Sequence, residues 1–166
     1  MKIAIMGYVG SGKSVLARNL SNILSIPKLE LDDIAFDKQW KSIDRKLILP
    51  EIQLFMEQDS WIIDGNYNDL LQKERLEMAD QIIFVMLPRV QCLIRALKRT
   101  KDRTAAGYVN DINPWFIRFL LLDCRNTKRN LEYRRIAQVY RDKLIILRSQ
   151  CAIDKFLAQF EEKTIC

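Results

Sequence analysis

Histidine is absent from this sequence of 166 residues, and cysteine is sparse. The four cysteines, at positions 92, 124, 151 and 166, show no C-x-x-C spacing. Their pattern argues against a zinc site and predicts buried or incidental thiols in a reducing compartment. Without histidine, no Ser-His or Cys-His pair can activate a nucleophile. A general base must therefore be a carboxylate, a lysine or a tyrosine.

The sequence also lacks any run of 18 consecutive apolar residues, and a glycine-rich motif stands where a signal peptide would need an apolar stretch. Both observations predict a cytoplasmic protein without a membrane span. Charge is unevenly distributed, because residues 1–90 carry 11 basic and 13 acidic side chains whereas residues 91–166 carry 16 and 8. The basic surplus predicts an anionic partner, either a nucleotide or a nucleic-acid backbone.

Short apolar segments alternate along the chain with segments of helical periodicity. The predicted strands cover residues 2–6, 28–31, 60–65, 81–87 and 143–149. The predicted helices include a basic helix over 89–99 and a long amphipathic helix over about 115–140. This alternation predicts a single α/β domain, residues 1–166, with a parallel sheet that is covered on both faces. Ligands of such sheets bind at the carboxyl ends of the strands.

The stretch GYVGSGKS, residues 7–14, matches the pattern G-x-x-x-x-G-K-[ST] between a predicted strand and a predicted helix. Backbone N–H groups of such a loop converge on an anion, and the helix N-terminus adds partial positive charge. We expect Lys13 to reach the β- and γ-phosphates of ATP and Ser14 to offer its hydroxyl to Mg²⁺. The predicted nucleotide-binding residues are Gly7, Gly10, Ser11, Gly12, Lys13, Ser14 and Val15.

Carboxylates follow two of the predicted strands. Asp64 ends the third strand and precedes a glycine, so it is a candidate metal ligand beside Ser14, the alternative being a helix or turn cap. Asp32 and Asp33 end the second strand, and strand alternation aims only one of them at the site. Asp32 is the stronger candidate to orient or deprotonate an acceptor hydroxyl, or to bind metal through water.

Arginines flank the polar segment 100–114. Arg95 and Arg99 are four residues apart on one predicted helix face, and Arg125 and Arg129 repeat that spacing on the later helix. Arginines that close from a mobile lid can neutralise the charge of a transferring phosphoryl group. Arg99, Arg125 and Arg129 are therefore predicted catalytic residues, together with Lys13 and Asp32, although single helical arginines are usually solvated.

Four segments carry a resemblance to a known family: MKIAIMGYVGSGKSVLARNLS, LELD, DSWIIDGNYNDLLQKERLEMADQIIFVMLPR and IRALKR. In these the chain resembles the DNA topology modulation (FlaR-like) proteins, small bacterial P-loop proteins related to adenylate and shikimate kinases. The resemblance implies a three-layer α/β/α P-loop fold with strand order 2-3-1-4-5 and a small helical lid over about 100–130. It also implies ATP phosphates on residues 10–14 and an acceptor beside Asp32 and the turn 64–67. Met86 and Leu87 depart from the acidic or polar residue that the resemblance leads us to expect near the end of the fourth strand.

The patterns and the resemblance together favour an ATP- and Mg²⁺-dependent phosphotransferase, adenylate-kinase-like, that phosphorylates a nucleotide or another small, anionic acceptor. Lys41 and Arg45, at helical spacing in the expected acceptor region, support an anionic acceptor. One alternative is a nucleotide-dependent DNA-binding regulator that grips the phosphate backbone with residues 95–141. Another alternative is a P-loop protein that binds nucleotide without catalysis. The lack of a polar residue at 86–87 favours this alternative.

Overall fold

The computed structural model describes residues 1–37, 39, 41–105 and 113–164, without the side chains of 99–105 and 162–164. Its strands are β1 Lys2–Gly7, β2 Lys28–Glu30, β3 Trp61–Asp64, β4 Gln81–Val85 and β5 Leu144–Leu147. Its helices are α1 Lys13–Leu24, α2 Leu31–Ala35, α3 Arg45–Met56, α4 Gln72–Met78, α5 Arg89–Ala105, α6 Pro114–Leu121, α7 Thr127–Val139 and α8 Gln150–Thr164. None of the helices among these residues is both long and apolar enough to cross a bilayer.

The five strands form one parallel sheet in the order β2-β3-β1-β4-β5, which confirms the strand order implied by the resemblance. β1 lies at the centre, and its register pairs Ile5 with Asp64 of β3 and Gly7 with Val85 of β4. The side chains of β1, β3 and β4 are almost entirely buried because helices cover both faces of the sheet. The register brings the ends of β1 and β3 side by side, where the phosphate loop begins.

α1 follows the phosphate loop and packs against the sheet through Leu16, Ala17 and Leu20, which recur at helical spacing and are buried. The helix ends at Ser25, whose left-handed φ of 55° closes the last turn and turns the chain toward Pro27. α1 thus has a fixed axis, and its N-terminus points at the carboxyl edge of the sheet.

The structure corrects two predicted elements. The second strand stops at Glu30, and residues 31–35 form α2, because a helical turn lets Leu31 and Ala35 both face the core. The long helix predicted over 115–140 is interrupted by a 3₁₀ turn at Asp123–Arg125. α7 begins afresh there, since the side chain of Asn126 caps it by accepting a hydrogen bond from the N–H of Arg129.

The predicted lid, about 100–130, overlaps residues 106–112, which lie outside the described residues. Its described part consists of the end of α5, α6 and the beginning of α7. α6 packs against α5 and leads through the 3₁₀ turn into α7. This path brings α7 back over the phosphate loop.

Candidate active site

The loop between β1 and α1 has the backbone of an anion-binding turn. Gly10 and Gly12 have φ values of 74° and 92°, in the region that favours glycine. A side chain at Gly10 would also collide with the carbonyl of Cys92, 2.4 Å from the position of a Cβ. α1 starts at Lys13 without a side-chain cap, so its first N–H groups are available to a phosphate. The loop therefore fits the group that the motif predicts.

The Ser14 hydroxyl donates a 2.6 Å hydrogen bond to Oδ2 of Asp64, whose residue is only 4% exposed. Oδ1 of the same carboxylate is buried and has no hydrogen-bond partner among the described residues. Burial raises the pKa of Asp64, while the nearby Lys13 ammonium and the hydrogen bond from Ser14 act in the opposite direction. A buried carboxylate with an unused oxygen beside a serine hydroxyl is a fitting donor set for Mg²⁺.

No three acidic or cysteine side chains cluster as a metal site in the part of the chain that the structure describes. A magnesium ion here would thus depend on Ser14, Asp64 and the oxygens of a bound phosphate, as is usual for Mg²⁺ in nucleotide sites. Lys13 lies in the same loop, where its ammonium donates to the carbonyl of Tyr8 at 3.3 Å.

The other predicted loop residues have differing surroundings. Gly7 pairs with β4, and its N–H and carbonyl both contact Asn66. Ser11 is fully buried, and its hydroxyl has no partner among the described residues. Val15 is 59% exposed on α1, so its contribution to a nucleotide site would come from its backbone rather than from its side chain.

Asp32 lies in α2 and accepts a 2.5 Å hydrogen bond from the phenol of Tyr67. Burial raises the pKa of Tyr67 above its ordinary value, and the negative charge of Asp32 raises it further, so the phenol stays protonated and donates. The ring of Tyr67 lies 6.2 Å from that of Phe36 and 5.6 Å from the guanidinium of Arg45. The carboxylate of Asp32 is therefore held in place beside the turn after β3.

A cavity of about 280 Å³ opens between the turn after β3 and α7. Its lining combines amides, carboxylates, two phenols and one guanidinium: Asn66, Tyr67, Asn68, Asp69, Arg129, Glu132 and Tyr133. The phenol of Tyr133 reaches the carbonyl of Gly7 at 3.5 Å. The cavity thus adjoins the first residue of the phosphate loop, and its lining includes one of the predicted arginines.

The arginines occupy three different environments. Arg125 lies 3.8 Å from the centre of the Tyr8 ring and donates to the carbonyl of Leu87 at 2.6 Å, so in this structure it supports the phosphate loop from the side. Arg129 faces the cavity. The side chain of Arg99 lies outside the described residues.

Arg95 contacts the phosphate loop, a role that the sequence did not single out. Its guanidinium donates to the carbonyl of Ser11 at 2.9 Å and lies 2.8 Å from where a Cβ of Gly12 would be. It also donates to the side chain of Gln150, which follows β5. The signal was present, because Arg95 and Arg99 share one face of α5, but only the register of α5 decides which guanidinium meets the loop.

The sequence patterns also did not single out three residues of this region: Asn66, Tyr67 and Arg75. Arg75 is 1% exposed and donates to the carbonyls of Leu70, Gly65 and Tyr67, which fixes the turn after β3. Burial lowers the pKa of its guanidinium to about 10, still cationic at neutral pH. The partners of Asn66 and Tyr67 lie 59 and 35 residues away, so the only sequence signal for these two was the DGNY turn itself.

The sheet order 2-3-1-4-5 with helices on both faces and a phosphate loop after β1 is the three-layer α/β/α P-loop fold, which this chain shares with two solved kinases. The whole chain superimposes on shikimate kinase from Bacteroides thetaiotaomicron with a TM-score of 0.54 and 18% identity, covering 100% of this chain and 99% of that one. A gluconokinase from Sinorhizobium meliloti 1021 gives a TM-score of 0.57 at 13% identity, covering 99% and 91%.

In sequence, the chain is 58% identical over 31 residues to a shikimate kinase of Flavobacterium johnsoniae. The match covers 19% of this chain and 18% of the length of that curated relative. No protein-family model matches the chain. The P-loop kinase part of the expected resemblance is thus supported, whereas the narrower likeness to DNA topology modulation proteins stays a prediction.

Proposed function

We propose that this protein is an ATP- and Mg²⁺-dependent kinase that transfers the γ-phosphate to a small acceptor. The observation that carries the proposal is the phosphate loop at the start of α1, where Ser14 hydrogen-bonds the buried carboxylate of Asp64 at 2.6 Å. The kinase names of the similar proteins support the same class of reaction.

The phosphate loop would hold the donor nucleotide. The N–H groups that open α1 bind the phosphate oxygens, and Lys13 leaves the Tyr8 carbonyl to neutralise the β- and γ-phosphates. Ser14 and Asp64 would hold Mg²⁺, which supplies charge neutralisation and alignment of the phosphates. Arg95 and Arg125 lie against this loop and fix its shape, and Arg129 approaches from the cavity.

The acceptor would bind in the cavity between the turn after β3 and α7. An acceptor hydroxyl oxygen forms a bond to the γ-phosphorus while the bond from that phosphorus to the bridging oxygen of ADP breaks. The hydroxyl proton passes to Asp32, whose Oδ1 is already engaged by Tyr67, so that Oδ2 receives it. Most of this catalysis is positioning and electrostatic stabilisation, so the proposed reaction does not require a histidine, which the chain lacks.

The acceptor proposed here is a small anionic molecule, a nucleotide or a hydroxy acid. Two guanidiniums support an anion, Arg129 in the cavity lining and Arg45 beside the Tyr67 ring. Asp69 forms a 2.8 Å ion pair with Arg45, and an incoming acceptor anion would compete for that guanidinium. Neither the site geometry nor the similar proteins support the DNA-binding alternative.

A coupled ADP-release assay tests the proposal. ATP and Mg²⁺ would be supplied with a panel of nucleoside monophosphates, nucleosides and small hydroxy acids, and duplex DNA would serve as one member. We expect turnover with one small acceptor, its loss in Lys13→Ala, and a reduction of at least about a hundredfold in Asp32→Asn. Lys73→Ala, at an exposed site on α4, is the matched control and should behave as the unmodified protein.

Silence across the panel while ATP still binds would overturn the kinase proposal in favour of a nucleotide-binding protein without catalysis. ATP turnover stimulated by duplex DNA alone would favour the regulator. In that case DNA binding should weaken steeply as salt rises, because phosphate contacts release counterions.

A further inference from the structure

The side-chain amide of Asn66 forms two hydrogen bonds with the backbone of Gly7. Oδ1 accepts from the Gly7 N–H at 3.0 Å, and Nδ2 donates to the Gly7 carbonyl at 2.5 Å. The two residues are 59 positions apart in sequence. Gly7 is the last residue of β1 and the first of the phosphate loop, so this amide holds the point where strand becomes loop.

The amide replaces a missing section of β3. The parallel ladder between β1 and β3 runs through Ile5 and Asp64, and the N–H of Gly65 donates to the carbonyl of Ile5. The next rungs would need a carbonyl for the Gly7 N–H and an N–H for the Gly7 carbonyl. Gly65 turns the chain away with a φ of 149°, and its carbonyl is taken by Arg75. The amide of Asn66 offers the same two groups as a peptide unit.

The opposite edge of Gly7 is already fixed. It pairs with Val85 of β4, and a Cβ at Gly7 would lie 2.1 Å from the Val85 carbonyl. Asn66 therefore closes the one edge that the sheet leaves open. The same side chain also lines the cavity where the acceptor is proposed to bind.

We propose that Asn66 is a positioning residue that holds the phosphate loop in its ATP-binding conformation and links that loop to the acceptor cavity. This inference rests on the proposed function, since it assumes that the loop binds ATP. Without the amide, Gly7 keeps its β4 contact and the 3.5 Å contact of its carbonyl with the Tyr133 phenol, but it loses both hydrogen bonds to Asn66. The loop then spends less time in the competent conformation. The apparent Kd then rises by the inverse of the competent fraction.

The test is Mg-ATP binding by isothermal titration calorimetry, with no acceptor present. Asn66→Ala removes both hydrogen bonds. Asn66→Asp keeps the size of the side chain but sets a carboxylate oxygen against the Gly7 carbonyl. We expect the Kd for Mg-ATP to rise roughly tenfold in both variants, with the larger change for Asp. Asn22→Ala, on the exposed face of α1, is the matched control and should bind as the unmodified protein.

Thermal unfolding of each variant separates positioning from packing. A purely structural role for Asn66 would lower the Tm of both variants and leave the Kd of the folded protein unchanged, which would overturn the inference. An unchanged Kd in both variants overturns it regardless of their Tm. Failure of the unmodified protein to bind Mg-ATP would instead overturn the proposed function, so the two failures are told apart by the unmodified protein alone.

Discussion

Among single residues, Asp64 is the one whose proposed function most clearly opposes the stability of the fold. Its carboxylate is buried, one of its oxygens has no hydrogen-bond partner in the described part of the chain, and burial raises its pKa above the ordinary value of 3.8. Such a group destabilises the folded state wherever it must be ionised. The Mg²⁺ proposed for this site would offset the cost of the buried charge.

We expect Asp64→Asn to stabilise the protein at pH 7 by about 1 kcal/mol while weakening Mg-ATP binding. The sign follows from the raised pKa. As pH rises through 3.8 the unfolded chain ionises first, so the stability of the unmodified protein declines until the folded-state pKa is passed. Urea unfolding at several pH values should show the advantage of the variant at pH 7 shrinking as the pH falls below the folded-state pKa of Asp64 and disappearing below about 3.8. A variant that is less stable at pH 7 would contradict this account.

At the scale of secondary-structure elements, α4 holds the turn after β3 in place. It is only seven residues long, yet Arg75 on it donates to three carbonyls of the preceding turn. That turn presents Asn66 to the phosphate loop and Tyr67 to Asp32. α4 therefore fixes the turn through which Asn66 and Tyr67 contact Gly7 and Asp32.

Arg75→Met retains the bulk of the side chain but leaves the buried carbonyls of the turn without donors. We expect a loss of about 3 kcal/mol in the free energy of unfolding, measured by urea denaturation. Lys73→Ala on the same helix removes only an exposed ion pair with Glu77 and should stay within about 0.5 kcal/mol of the unmodified protein. Equal effects of the two substitutions would show that the contacts of Arg75 with the turn do not stabilise the fold.

At the scale of the whole molecule, the site collects segments from both ends of the chain. β1 begins at Lys2, and Gln150 at the start of α8 meets Arg95 above the phosphate loop. A ligand that binds only this assembled edge stabilises the entire fold by mass action.

We expect Mg-ATP at a hundred times its Kd to stabilise the protein by about 2.7 kcal/mol. For a chain of this length that corresponds to a rise in Tm of roughly 5–10 °C, measurable by differential scanning calorimetry. Lys13→Ala should lose most of the shift, whereas Lys73→Ala should retain it. The absence of any shift in the unmodified protein would argue against an ATP site at the loop.

The sequence supported local features well. The sequence predicted the phosphate loop, the start of α1 and the five strands, because each of these features depends on residues close in sequence. Strand order came from the family resemblance and is confirmed. The end of the second strand was predicted incorrectly, since Leu31 begins α2 rather than ending β2, and only the core contacts of Leu31 and Ala35 select the helix.

By itself, the sequence determined that a phosphate loop with Lys13 and Ser14 follows the first strand, and that no histidine can serve as a base. Only the tertiary structure decided which side chains complete the site. Asp64 meets Ser14, Tyr67 meets Asp32, and Asn66 takes the place of a strand beside Gly7, across separations of 50, 35 and 59 residues. Such pairings leave no periodic trace in the chain, because they are set by sheet register and by where each strand ends rather than by neighbouring residues.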